Sequence, residues 1–268
     1  MARNPRTTIA LALPALLAAP AAAQHVDVGL RVEGGAIRTL EYDVAGYGAA
    51  RRVFASDLGE AGVPWMTDEP GYDCAPATFL PGTRIGVRFA GSLLAWNGTA
   101  FEETSAEGAP VGERLRLSYL TLSATSGAGP APGIDLAVQS NGAWHRHLVM
   151  EVLAAPGSDE PDAGVYAARL QLYSTDPLVA ASQEYWIVLN GGMDEAWHDA
   201  AIKAATALLG PPACTGDLNA DATVDGTDLA MLLGSWGTCA GCAADLDATG
   251  TVDGADLTQL LGNWGPCP

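Results

Sequence analysis

Basic residues are scarce in this chain. Its 268 residues include 13 Lys and Arg against 31 Asp and Glu, with only four His. Setting aside Arg3 and Arg6 at the extreme N-terminus, 11 basic residues face 31 acidic ones, a difference of −20. A surface so acidic argues against nucleic acid as a partner, because phosphate recognition needs clustered Lys and Arg. Long apolar runs are equally few. One occurs, MARNPRTTIALALPALLAAPAAA, with two arginines in front, a Leu/Ala-rich stretch and a small-residue end at Ala21-Ala22-Ala23. It reads as a signal peptide over residues 1–23, with the mature chain starting at Gln24. No other stretch is long and apolar enough to span a bilayer. The expectation is a soluble protein that is secreted, periplasmic or on the cell surface, in an oxidising compartment. Catalytic signatures are missing as well: there is no G-x-S-x-G, no H-E-x-x-H and no phosphate-binding G-x-x-x-x-G-K-[ST] loop. The paired carboxylates of a glycosidase leave no such signature and stay open.

What is present is concentrated at the C-terminus, where residues 214–268 hold eight Asp and no Lys, Arg or Glu. The segments CTGDLNADATVDGTDLAMLLGSWGTC (214–239) and CAADLDATGTVDGADLTQLLGNWGPC (242–267) match at a constant offset of 28 residues, an internal duplication. In the first copy Asp217, Asn219, Asp221, Thr223, Asp225 and Asp228 stand at positions 1, 3, 5, 7, 9 and 12 of a calcium loop; the second offers Asp245, Asp247, Thr249, Thr251, Asp253 and Asp256. Calcium takes about six to eight oxygen ligands, and alternate residues of a tight loop turn theirs toward one centre. Val224 and Val252, at position 8, suit a short strand pairing one loop with the other. Leu229, Leu232, Leu233 and Trp236, and again Leu257, Leu260, Leu261 and Trp264, recur at i, i+3, i+4 and i+7, so each loop leads into one amphipathic helix.

These repeats resemble a type I dockerin, whose loop-helix motifs lack the leading helix of an EF-hand and end in Asp at position 12. The resemblance implies calcium as cofactor and a cohesin-like protein module as partner. Two positions depart from the pattern: Ala222 replaces the turn glycine of the first loop, and Thr249 replaces a carboxylate in the second, which should weaken that site. Cys214 and Cys242 each precede a loop, while Cys239 and Cys267 each follow its helix. The expected disulfides are Cys214 to Cys239 and Cys242 to Cys267, although four cysteines allow three pairings. Each bridge would contribute roughly 3 kcal/mol to a domain with a thin core.

From Gln24 to about Asn190 short alternating runs such as HVDVGLRV, AIRTLEYDV, RIGVRFAGSLLAW, LRLSYLTLSAT, WHRHLVMEVLAA, VYAARLQLYST and EYWIVLN are separated by Gly, Pro and Asp turns. They predict a mainly β domain over residues 24–210, a β-sandwich closed by one helix from Asp194 to Leu209, with Gly210-Pro211-Pro212 before the α-helical dockerin-like domain at 214–268.

Alternation also orients the histidines. In HVDVGLRV the valines and Leu30 form one face and His25 and Asp27 the other; in WHRHLVMEV Leu148, Met150 and Val152 oppose His145, His147 and Glu151. Residues i and i+2 of a strand lie about 6.6 to 7 Å apart, so one ion can reach both imidazoles. His25, Asp27, His145 and His147 together would suit zinc or a similar divalent metal, provided their strands meet; an inert exposed pair is the bland alternative. The order HVDV, TDEPGYD (with Asp68 and Asp73), LPGTRIGVRF, LLAWNG, HRHL, GVYAARLQL and SQEYWIVLNGG resembles a bacterial family of secreted, zinc-regulated surface proteins, which implies zinc handling at the same four residues. His198 reads as a surface residue paired with Asp194, Cys74 as a small buried thiol, and Trp65, Trp96, Trp144 and Trp186 as core anchors or a sugar-stacking face. The leading reading is a secreted, non-catalytic metal-binding protein, surface-associated or involved in assembly. The alternative is a dockerin-bearing component of polysaccharide degradation, an enzyme or a sugar-binding module.

Overall fold

The structure, a computed structural model, describes residues 26–104, 112–210, 215–219, 223–239, 242–247 and 249–266. The N-terminal region opens with strands β1 (Asp27–Glu33), β2 (Ala36–Asp43), β3 (Gly46–Ala50), β4 (Val53–Asp57), β5 (Met66–Thr67) and β6 (Tyr72–Asp73). It continues with β7 (Arg84–Phe89), β8 (Leu94–Trp96), β9 (Phe101–Glu103), β10 (Arg114–Tyr119), β11 (Leu122–Thr125), β12 (Ala131–Ala137) and β13 (Val149–Leu153). Strands β14 (Gly164–Ser174) and β15 (Tyr185–Gly191) and helix α1 (Glu195–Leu209) complete it. The runs RIGVRFAGSLLAW and LRLSYLTLSAT each split into two strands, the second at a tight turn where Leu120 adopts φ 52°.

The strands form two mixed sheets and one antiparallel sheet. A seven-stranded sheet has the path β12-β7-β14-β15-β4, with β8 and β9 beside β14; two four-stranded sheets run β3-β2-β1-β6 and β11-β10-β13-β5. One core joins all three, uniting Val28, Leu30 and Ile37 with Leu115, Leu117, Met150 and Val152 and with Tyr166, Leu170, Ile187 and Leu189. The large sheet is thus covered on one face by the two smaller ones, a sandwich-like packing.

Its other face is covered too. Val165, Ala167, Trp186 and Val188 project away from the sandwich core and pack with Ala201 and Ala205 of α1. Both faces of β15 are therefore buried, and YWIVLNG shows no exposed residue, as expected for a strand enclosed on two sides. Small side chains let α1 approach closely; Asp194 caps its N-terminus by accepting from the Trp197 amide, and Gly210 ends it at φ 65°. This packing corrects the surface reading of His198. Its ring is buried, with Nε2 3.1 Å from the carbonyl oxygen of Val188 and Nδ1 3.8 Å from Asp57, while Asp194 serves the cap.

The C-terminal region contains β16 (Thr223–Val224), α2 (Gly226–Gly234), β17 (Gly237–Thr238), β18 (Thr251–Val252), α3 (Gly254–Gly262) and β19 (Gly265–Pro266). Its own small core is Val224, Leu232, Ala244, Val252 and Leu260. The loop-helix reading of each repeat agrees with these elements, but the expected pairing of the loops does not. Thr223 pairs with Pro266 and Val224 with Gly265, while Gly237 pairs with Val252 and Thr238 with Thr251. Each loop strand therefore joins the segment that leaves the other repeat's helix.

That crossing also changes the disulfide pattern. Strand β17 delivers Cys239 to the second repeat, where Cys242 follows after a turn closed by a 3.1 Å hydrogen bond from its amide to the Cys239 carbonyl. The two are bonded, with Cα atoms 5.6 Å apart, in place of the expected Cys214 to Cys239 and Cys242 to Cys267 pairs. Cys214 and Cys267 lie outside the described residues.

Candidate metal centres

In the second repeat, ligand oxygens of Asp245, Asp247 and Asp256 lie within 4.8 Å of one another, and among the described residues this is the one group of three or more His, Cys, Asp or Glu so gathered. Backbone geometry brings them together. Asp245 accepts from the amides of Thr249 (3.0 Å) and Gly250 (2.8 Å), and Asp247 from Thr249 (3.2 Å), which folds the loop back on itself. Asp256 is buried and accepts from Leu246 (2.7 Å), Asp247 (3.2 Å) and Asp253 (2.8 Å). The amide of Asp253, followed by those of Asp247 and Leu246, holds its carboxyl below the usual range. The charge needed for a cation is thereby kept.

The acids at positions 9 and 12 have a second task. Asp253 caps α3 while Asp256 reaches back to the Asp253 amide, a reciprocal capping box that Asp225 and Asp228 repeat at α2. Asp253 thus faces the helix start and is not part of the three-carboxylate group. Thr249 directs its hydroxyl to the Thr251 carbonyl at 3.3 Å, and Thr251 lies in β18. The first loop shows the same network: Asp228 accepts from Leu218 (2.7 Å), Asn219 (3.2 Å) and Asp225 (2.8 Å). Burial raises the Asp228 pKa, but those amides outweigh it and the net shift is downward. Asp217 and Thr223 lie in described segments, whereas Asp221 and Ala222 lie outside them.

In the sandwich Asp27 of β1 and the HRH segment are neighbours once removed, and the histidines, expected on a strand, lie in the segment before β13. Strand β6 runs parallel to β1, with Val28 opposite Tyr72 and Gly29 opposite Asp73, and Arg146 bridges Tyr72 from the other side. Asp27 and the HRH segment therefore flank Gly71–Asp73. Asp27 spends one oxygen on the Gly71 amide at 2.7 Å, and His25 lies outside the described residues. His145 and His147 precede β13 and have ring centroids 5.2 Å apart.

Glu69 and Asp73, before and within β6, add two carboxylates that the spacing of the histidines had not assigned to them. Asp73 Oδ2 lies 2.8 Å from His145 Nδ1 and its Oδ1 accepts from the Tyr47 hydroxyl at 2.5 Å. His147 Nδ1 lies 3.1 Å from the Asp68 carbonyl and 3.4 Å from Glu69. Burial pushes the Glu69 carboxyl up, His147 opposes this, and Asp27 adds to the rise. Gly71 lies directly beneath His147: a Cβ there would fall 2.5 Å from Cε1 of the ring. TDEPGYD carried the signal for Asp73: it follows the buried Tyr72 in β6, so alternation turns its side chain to the face away from the core.

Other readings resolve differently. Cys74 is buried and free, accepts from the Trp144 amide at 3.0 Å, and burial pushes its thiol up to about 11. Trp96, Trp144 and Trp186 are buried, which leaves them as packing residues and not as a stacking face. On the helices Leu232 and Leu260 are buried and Leu233 and Leu261 about half exposed; Trp236 and Trp264, expected to continue the helical stripe, lie beyond the helix ends at Gly234 and Gly262 and are also about half exposed. No helix among the described residues is long and apolar enough to cross a membrane.

No family model matches the chain. No curated protein matches it either. Among solved structures it is similar to the CooA pilin subunit from enterotoxigenic Escherichia coli, at 11% identity over 57% of this chain and 95% of that one, with a TM-score of 0.26. At so low a score no argument rests on the likeness.

Proposed function

We propose that this is a secreted, non-catalytic metal-binding protein whose duplicated C-terminal loops hold calcium and whose dockerin-like helices engage a protein module. The observation that carries the reading is the convergence of Asp245, Asp247 and Asp256. Three carboxylates without a nitrogen or sulfur donor suit a hard cation. Thr249 and Thr251, at positions 5 and 7, would supply further oxygens. The repeat of half-exposed Leu233 and Trp236 at Leu261 and Trp264 supports a partner-binding role, because these apolar residues lie outside the module's own core. Calcium titration of the full chain by calorimetry is the direct test. Binding at two sites, with the second lost in Asp245→Ala, is expected; no calcium binding at millimolar concentration would overturn the reading.

The sandwich supports a second metal. A metal-bound histidine usually has its other ring nitrogen held by a carboxylate or carbonyl, and His145 and His147 have Nδ1 beside Asp73 and beside Asp68 and Glu69. Two imidazoles on one tetrahedral ion, with nitrogens about 2.0 to 2.1 Å away, place their centroids about 5 Å apart, close to the 5.2 Å found here. We assign zinc or a similar divalent ion to these two rings, with Asp73 and Glu69 as orienting groups. Polysaccharide degradation is the competing role for a dockerin-bearing chain; hydrolysis or retention of a polysaccharide by the purified protein would favour it.

A further inference from the structure

The cysteines between the two repeats are wired into the second loop. The carbonyl of Cys242 accepts from the Asp245 amide at 3.1 Å. Asp245 Oδ2 in turn accepts from the Gly250 amide at 2.8 Å, and the Gly250 carbonyl accepts from the Cys239 amide at 3.0 Å. The disulfide between Cys239 and Cys242 closes this circuit. Next to it, Thr238 and Gly237 pair with Thr251 and Val252, so the circuit continues into the ladder that shapes the loop. Both cysteines also pack against the module's core beside Leu246. Asp245 is thus both a member of the carboxylate group and a link in a ring that one covalent bond completes.

We propose that the Cys239–Cys242 disulfide is a redox control on the second calcium loop. This rests on the calcium reading above. With the bond intact, the loop's first residue and its far side are held at a fixed separation, and the three carboxylates stay gathered against their mutual repulsion. Reduction by a dithiol breaks the sulfur–sulfur bond: each Sγ takes up one electron and one proton, and the dithiol becomes a cyclic disulfide. Three hydrogen bonds must then hold the loop without the covalent link, and the freed chain regains conformational entropy that calcium binding has to remove again. The first loop serves as an internal reference. Its last acid, Asp228, accepts from Leu218, Asn219 and Asp225, and none of these hydrogen bonds involves Cys239 or Cys242. Coupling is reciprocal, so calcium in the second loop protects the disulfide by the factor by which the disulfide favours calcium.

Calcium affinity is measured on the full oxidised chain and on the Cys239→Ser/Cys242→Ser variant, with the second site identified by its loss in Asp245→Ala. The variant is expected to bind calcium about tenfold more weakly at the second site, within the usual range of coupling, and equally well at the first. Equal affinity at the second site would overturn the proposal. A reciprocal measurement needs no variant: the wild-type chain is equilibrated with a dithiol buffer, with and without calcium, and the Cys239–Cys242 peptide is followed by mass spectrometry. Calcium should shift the midpoint of reduction by the same factor of about ten; an unchanged midpoint in a chain that binds calcium would sink the redox link alone. Absence of calcium binding in the oxidised chain would instead remove the calcium reading, and this inference with it.

Discussion

Asp73 holds His145 from one side and Tyr47 from the other, with its two oxygens 2.8 Å from the ring Nδ1 and 2.5 Å from the phenol oxygen. The carboxylate therefore fixes the ring's orientation. Asp73→Asn should weaken zinc binding by roughly 10- to 100-fold, the usual cost of losing such an orienting group. His145→Ala/His147→Ala should abolish it. Gly71→Ala tests the geometry separately, since its Cβ would displace the His147 ring. Metal content and competition titration read all three; stoichiometric zinc in the double variant would refute the assignment.

Calcium should raise the melting temperature of the C-terminal transition, because an ion that binds only the folded loops stabilises them. At a free concentration 100 times the dissociation constant, one site contributes about 2.7 kcal/mol. Asp256→Ala should remove most of the gain from the second site, as it takes away a buried carboxylate on which the amides of Leu246, Asp247 and Asp253 converge. Calorimetry in calcium and in EDTA checks this; coincident transitions would contradict it.

Glu184 accepts from Arg169 (2.9 Å) and from the Trp186 indole (2.7 Å). Burial raises its pKa, but these donors and the nearby Arg52 outweigh that and the net shift is downward. A carboxylate lowered in the folded state contributes stability that is fully present above its unfolded pKa, near 4.3, and lost as pH falls through the lower folded value. Glu184→Gln should therefore cost about 1 to 3 kcal/mol at pH 7, with the difference from wild type narrowing below about pH 4. Urea melts at pH 7 and pH 3 measure the two quantities.

With its thiol pushed up to about 11 and its side chain buried, Cys74 should resist alkylation in the native protein at pH 8. Denaturant should make Cys74 reactive. Reaction at the native-state rate of a free cysteine would show that the Trp144 packing around it opens readily.

Peptide mapping under non-reducing conditions should recover Cys239 joined to Cys242. A peptide joining Cys214 to Cys239 would reject the crossed arrangement of the repeats.

Periodicity and spacing by themselves determined the local elements: alternating strands, α1 with its Gly210 stop, and two loop-helix repeats with acids at calcium-loop positions. Such features depend on neighbours a few residues away, so one-dimensional order is enough to read them. Tertiary structure alone decided which segments meet. HVD and HRH meet only across strand β6, and the segment leading into and along it brings Glu69 and Asp73 to the histidines. His198 became buried because α1 covers the second face of the large sheet. The same holds for the cysteines: a 28-residue repeat looks the same whether each copy closes on itself or crosses to its twin. The choice rests on backbone pairing between β16 and β19 and between β17 and β18, long-range hydrogen bonds that leave no mark in local residue order.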